Sequence, residues 1–138
     1  MRVAIVYVPS RDSSALAEAA KAMAVALDRA GHSVEAADAR GGDAPRLTGF
    51  DYIMVGTEAA GFRGRLPPRI SEFLAQAGMI AGKRSMAFVR KAGFGSERAL
   101  TRLMAAMEAE GMNVNCAELV SSPEEAARAA LSAPIERA

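Results

Sequence analysis

The feature that most restricts this chain is a set of short apolar runs that have no polar face. The first is Arg2-Val3-Ala4-Ile5-Val6-Tyr7-Val8, rich in β-branched residues. Strands of a half-exposed antiparallel sheet alternate apolar and polar residues, whereas a strand covered on both faces, as in a parallel sheet, does not. Pro9 and Ser10 end the run, since proline has no N–H to give to a ladder. Arg11-Asp12-Ser13-Ser14 follows, and then an alanine-rich segment that sets Leu16, Ala20, Met23 and Leu27 on one helical face. Ser13 or Ser14 can cap that helix, and Gly31 stands where a left-handed C-terminal residue is wanted.

The strand–loop–helix unit then recurs. Ser33–Ala37 reads as a second strand, and the connection from Asp38 to Asp51, with Gly41-Gly42, Pro45 and Gly49, has room for at most a brief helical turn. Tyr52-Ile53-Met54-Val55-Gly56 is the third strand. The loop Thr57–Arg65 and Leu66-Pro67-Pro68 lead into a helix with Ile70, Phe73, Leu74 and Ala77 on its apolar stripe, stopped by Gly78. Ser85–Val89 is the fourth strand. The glycine-rich loop Arg90–Gly95 follows, and Ser96 is expected to cap a helix bearing Leu100, Leu103, Met104 and Met107, ended by Gly111. Val114–Val120 is the fifth strand. Ser122-Pro123-Glu124-Glu125 is a capping box with proline at the first helical position, and that helix runs on to Pro134.

Five strands alternating with helices imply one α/β domain over residues 1–138, with a five-stranded parallel sheet. Helices are expected near 14–30, 68–77, 97–110 and 123–132, with Ile5, Val6, Ile53, Val55, Phe88, Val89 and Leu119 in the core. In open sheets of this kind ligands bind outside the carboxyl ends of the strands. Three loops meet that condition: Pro9–Ser14, Thr57–Arg65 and Arg90–Gly95.

Composition narrows the function classes. A 51% hydrophobic and 24% charged chain of 138 residues can build a substantial core, and a net charge of +1 gives no bulk argument for nucleic acid. No apolar run reaches the roughly 18 residues of a membrane span, and Ser10, Arg11 and Asp12 interrupt the first apolar stretch before it could serve as a signal peptide, so the cytoplasm is expected. Cys116 is the one cysteine and reads as a buried, inert strand thiol. His32, the one histidine, follows a helix-ending glycine and reads as a surface residue. No Ser-His-Asp set, P-loop, G-x-G-x-x-G or metal-spaced carboxylates are present, so nothing points to a catalyst in its own right.

At four places the residues resemble the short-chain flavodoxins. Val3-Ala4-Ile5-Val6-Tyr7 looks like their first strand. Val55-Gly56-Thr57 with Gly64-Arg65-Leu66-Pro67-Pro68 looks like their third strand, flavin loop and helix start. Ala87-Phe88-Val89 through Ala92-Gly93-Phe94-Gly95-Ser96 resembles their second flavin loop, and Glu110-Gly111-Met112 the helix end before the last strand. The resemblance implies a flavodoxin-like three-layer sandwich of strand order 2-1-3-4-5, with FMN as the family's ligand at the switch point between strands one and three. It also implies a site drawn from Ser10, Arg11, Asp12, Ser13, Ser14, Thr57, Glu58, Phe62, Gly93, Phe94 and Gly95.

Three departures accompany it. The family's phosphate loop reads Ser/Thr-x-Thr-Gly-x-Thr; here Pro9 to Ser14 keep a hydroxyl at Ser14 and loosely at Ser10, and the glycine position is Asp12. A carboxylate there repels a phosphate, and losing the glycine restricts the backbone wrap. There is no Trp, so ring stacking falls to Phe62 and Phe94, which are equally consistent with core anchors. The loops and flanks carry Arg11, Arg63, Arg65, Arg90, Lys91 and Arg98 against Asp12, Glu58 and Glu97, consistent equally with scattered solvated charges and with a basic rim suited to an anionic ligand or an acidic partner. Two expectations follow. One is a flavodoxin-like domain with a degenerate FMN site that binds a protein partner or small anion at the sheet edge. The other is an FMN electron carrier with an atypical phosphate loop. Neither involves nucleic acid or a membrane.

Overall fold

The computed structural model describes residues 1–10, 14–41, 46–59, 63–91 and 93–136. In chain order these form β1 (Arg2–Val8), α1 (Ala15–Arg29), β2 (Ser33–Asp38), β3 (Tyr52–Glu58), α2 (Arg69–Gln76), β4 (Arg84–Arg90), α3 (Ser96–Ala109), β5 (Asn113–Val120) and α4 (Pro123–Ser132). The sheet order is β2-β1-β3-β4-β5, and every neighbouring pair is parallel. The parallel pairing is what the strand pattern implied, and the order is the flavodoxin-like one that the resemblance implied.

The sheet divides the core in two by strand alternation. Val6, Ile53, Val55, Ala87 and Val89 pack with Ile70, Leu74, Leu103 and Met107 on the α2/α3 side. Ile5, Tyr52, Met54, Met86 and Phe88 pack with Leu16, Met23, Leu27 and Ala130 on the α1/α4 side. All seven residues of β3 are buried, because it lies at the centre of the sheet and under both helical layers. β2 and β5 are the edges and are largely half-exposed.

Edge position corrects two expectations. Leu119 is half-buried, and Val120 is the fully buried residue of β5. Cys116 is also half-buried, although burial and then the charge of Glu118 still push its thiol up. A bulge between Ser85 and Met86 in the β4–β5 register skips Asn115, whose Oδ1 accepts the Tyr52 hydroxyl at 2.6 Å. Burial, reinforced by Cys116, holds that phenol far above its ordinary range, so it stays a neutral donor.

The helix ends follow their chemistry with two exceptions. Ser122 Oγ accepts from the Glu125 N–H at 3.1 Å, as a capping box requires. The Glu125 carboxylate instead takes the Ser121 hydroxyl at 2.9 Å. Ser14 occupies the α1 cap position, but its side chain makes no capping hydrogen bond. Ser96 is already helical; the cap position of α3 is Gly95, in a left-handed conformation with φ 91°. His32 is half-buried rather than a surface group, and its Nδ1 is buried without a hydrogen-bond partner. No helix among the described residues is long and apolar enough to cross a membrane.

Gly56 makes room for a side chain of the neighbouring strand, being paired with Phe88 of β4. The Phe88 ring lies over it, and a Cβ there would run into that ring. Gly56→Ala is therefore expected to lower stability by about 1–3 kcal/mol through overpacking. The cost should shrink in a Phe88→Leu background, as read from the midpoints of urea unfolding.

Candidate functional site at the carboxyl edge of the sheet

The ladder runs out where β1 and β3 end, and two hydroxyls take over its work. Thr57, fully buried, donates its Oγ1 to the Val8 carbonyl at 2.6 Å. Ser10, half-buried, donates its Oγ to the Ala59 carbonyl at 3.0 Å. Buried carbonyls without strand partners need such donors, so both side chains are committed to holding the two strand ends together.

The next residue of β3 is a carboxylate with no exposure. Glu58 is fully buried, and neither carboxylate oxygen has a hydrogen-bond partner. It is opposite Arg90 in the β3–β4 register, and Arg90 Nη1 stands 3.5 Å from its Oε2. By alternation from Met54 and Met86, both side chains belong to the α1/α4 face of the sheet. Arg90 also lines a recess of about 180 Å³ beside Ala15 at the start of α1 and Ser121 and Ser122 at the start of α4. A carboxylate held by one ion pair and no N–H donors is an uncommon, costly arrangement for a buried group.

The loop between β4 and α3 forms the other half of the edge. Gly93 and Gly95 both take positive φ, 71° and 91°, which turns the chain sharply around Phe94. Phe94 is 84% exposed, so it is not a core anchor. With Lys91, Arg98 and Leu119 it lines a groove of about 460 Å³. The β3–α2 loop reaches this loop at Gly64, whose Cα faces the Gly95 carbonyl and the Arg98 Cβ so closely that no side chain fits. Arg102 Nη1 donates to the Arg63 carbonyl at 2.9 Å and fixes the same contact.

Of the residues expected at the site, Ser10, Thr57 and Glu58 gather at the β1/β3 ends, and Gly93, Phe94 and Gly95 form the second loop. Ser14 is exposed at the start of α1, and its carbonyl accepts the Glu18 N–H at 2.9 Å. Arg11, Asp12, Ser13 and Phe62 lie outside the described residues. Two residues were not singled out as site residues from sequence. Arg90 appeared only as one of several rim charges, though an opposite charge ending the neighbouring apolar strand was the signal for its pairing with Glu58. Arg102, one turn beyond Arg98 on α3, carried no sequence signal. At the outer strand, Arg40 and Asp38 pair at 2.7 Å. Partial burial raises the Asp38 pKa, but the hydrogen bonds and charge of Arg40 outweigh it and leave the carboxyl lowered.

The buried pair has a measurable signature. Arg90→Met strands the Glu58 charge and is expected to cost about 3 kcal/mol, at the low end for breaking a buried pair because Arg90 keeps some contact with solvent. Glu58→Gln alone should cost little, and the double variant should recover most of the loss. A double-mutant cycle on urea unfolding measures all three.

No protein-family model matches this chain, and no curated protein sequence does. Solved structures do match it. A flavodoxin from the domain Archaea superposes with TM-score 0.75 at 19% identity, over 95% of this chain and 94% of that one. Flavodoxin 2 from Bacillus cereus gives 0.72 at 22% identity, over 92% and 94%. The two-electron reduced flavodoxin of Megasphaera elsdenii gives 0.71 at 19% identity, over 95% and 99%. At these identities the likeness establishes the fold: the described residues are built as a flavodoxin-like α/β sandwich.

Proposed function

We propose that this protein is a flavodoxin-fold binding domain of the cytoplasm with a degenerate FMN site, taking a protein partner or an anionic ligand at the carboxyl edge of its sheet. The observation that carries this reading is Glu58, a fully buried carboxylate without hydrogen-bond donors at the end of β3. In this fold a ligand's phosphate is received by backbone N–H groups at a loop-to-helix junction beside the strand ends. The donor set here is poor for a dianion. Thr57 and Ser10 spend their protons on backbone carbonyls, Ser14 keeps an exposed hydroxyl, and the phosphate loop carries Asp12 in its sequence. Arg90, 3.5 Å from Glu58, is engaged by it. A carboxylate about 4–5 Å from a phosphate opposes its binding by several kcal/mol at an effective dielectric near 20. The residues present therefore do not fit a tightly held FMN phosphate.

One observation favours the second reading, an FMN electron carrier with an atypical phosphate loop. Phe94 is 84% exposed on a loop beside a groove, as a ring that stacks on a flat ligand would be. The two readings differ in colour. The protein is expected to purify colourless, with added FMN titrating no more tightly than micromolar by fluorescence quenching. Replacing Asp12 with Gly and Arg11 with Thr should tighten that binding, since both changes restore the family pattern. A yellow protein with stoichiometric FMN would put the electron carrier first.

A further inference from the structure

The charges at the carboxyl edge are sorted by the fold into two groups. Glu58 and Arg90 face inward and neutralise each other. Asp38 and Arg40 do the same at the outer strand. What remains on the α3 side is nearly all of one sign. Arg63 and Arg65 come from the β3–α2 loop, Lys91 from the end of β4, and Arg98 and Arg102 from one face of α3. All five are exposed, and none is in an ion pair among the described residues. The hydrogen bond from Arg102 to the Arg63 carbonyl and the packing of Gly64 on Arg98 hold the two segments together. Glu97 is the one acidic residue among them. Phe94 projects from the same edge, sharing a groove with Lys91 and Arg98.

We infer that this surface docks an acidic protein segment, with its carboxylates on Arg63, Arg65, Lys91, Arg98 and Arg102 and an apolar side chain on Phe94. This inference rests on the reading of the carboxyl edge as a binding surface and names the partner's chemistry. Concentrated like charge costs stability unless a counter-surface covers it, and arginine forks are suited to carboxylates. An exposed aromatic beside such a cluster is the usual composition of an interface centre. A protein is favoured over nucleic acid because the chain has a net charge of only +1 and two of the cations share their groove with the exposed Phe94.

The test uses the full chain and a fluorescent poly-glutamate peptide carrying one central leucine, followed by anisotropy. Binding is expected at low ionic strength and should weaken as salt is added. Arg65→Glu with Arg98→Glu should reduce affinity roughly tenfold or more, since charges at an interface act strongly when reversed. Neither of those side chains makes a hydrogen bond or ion pair among the described residues, so the fold is expected to survive, as circular dichroism checks. The control, Lys21→Glu with Arg29→Glu on the exposed face of α1, makes the same change in net charge and should leave affinity within about twofold. Phe94→Ser should weaken the leucine-bearing peptide and leave an all-glutamate peptide unaffected. Absence of binding, equal losses in patch and control variants, no effect of Phe94→Ser, or tighter binding of duplex DNA than of the peptide each overturns the inference. An FMN titration on the same samples separates the two claims. Tight FMN binding by a protein that also takes the peptide through this patch overturns the proposed function and supports the docking surface.

Discussion

Burial of β3 on both faces and along its whole length is the constraint on which the rest of the structure depends. A strand in that position cannot hand its polar atoms to water, so whatever ends it must be satisfied internally or bear a cost. Apolar side chains answer this from Tyr52 to Val55, and Gly56 makes room for the Phe88 ring. At Thr57 the answer is a hydrogen bond to β1. At Glu58 it is, among the described residues, an ion pair with Arg90 of β4. The end of the central strand is thus the least well satisfied part of the core, and it lies where this fold places its ligands.

The same edge separates into an inward and an outward region with different chemistry. Inward, at the strand ends, the hydroxyls of Thr57 and Ser10 are occupied by backbone carbonyls and Glu58 by Arg90. Outward, on the β4–α3 loop and the face of α3, an aromatic ring and several cations are exposed without partners among the described residues. A small phosphate ligand draws on the inward region and a macromolecular surface on the outward one. This difference is what the proposed docking, rather than a tightly held cofactor, rests on.

Much of the fold was legible in the chain because its signals are local. Apolar runs without alternation mark β1, β3 and β4, helical stripes mark α1 to α4, and Gly31, Gly78 and Gly111 with positive φ end three of the helices. Two of the errors share one cause, the neighbourhood in the sheet. Leu119 and Cys116 look like core residues in sequence, yet β5 is an edge and leaves them half-covered. Ser96 has the chemistry of a cap, but the left-handed Gly95 takes the turn one residue earlier.

The sequence by itself determined the order of elements, the two-sided burial that makes the sheet parallel, and the inventory of loops at its carboxyl edge. It also determined that the phosphate-loop positions carry Asp12 where the flavodoxin pattern has glycine. Only the tertiary structure decided which charges cancel and which stay free. Glu58 and Arg90 are far apart in the chain and meet because the β3–β4 register sets them opposite each other. Arg63 and Arg102 meet because the β3–α2 loop packs on the start of α3 at Gly64, where a side chain would not fit. Charge pairing depends on distances across strands and loops, and those are fixed only when the two faces of the sheet have been packed.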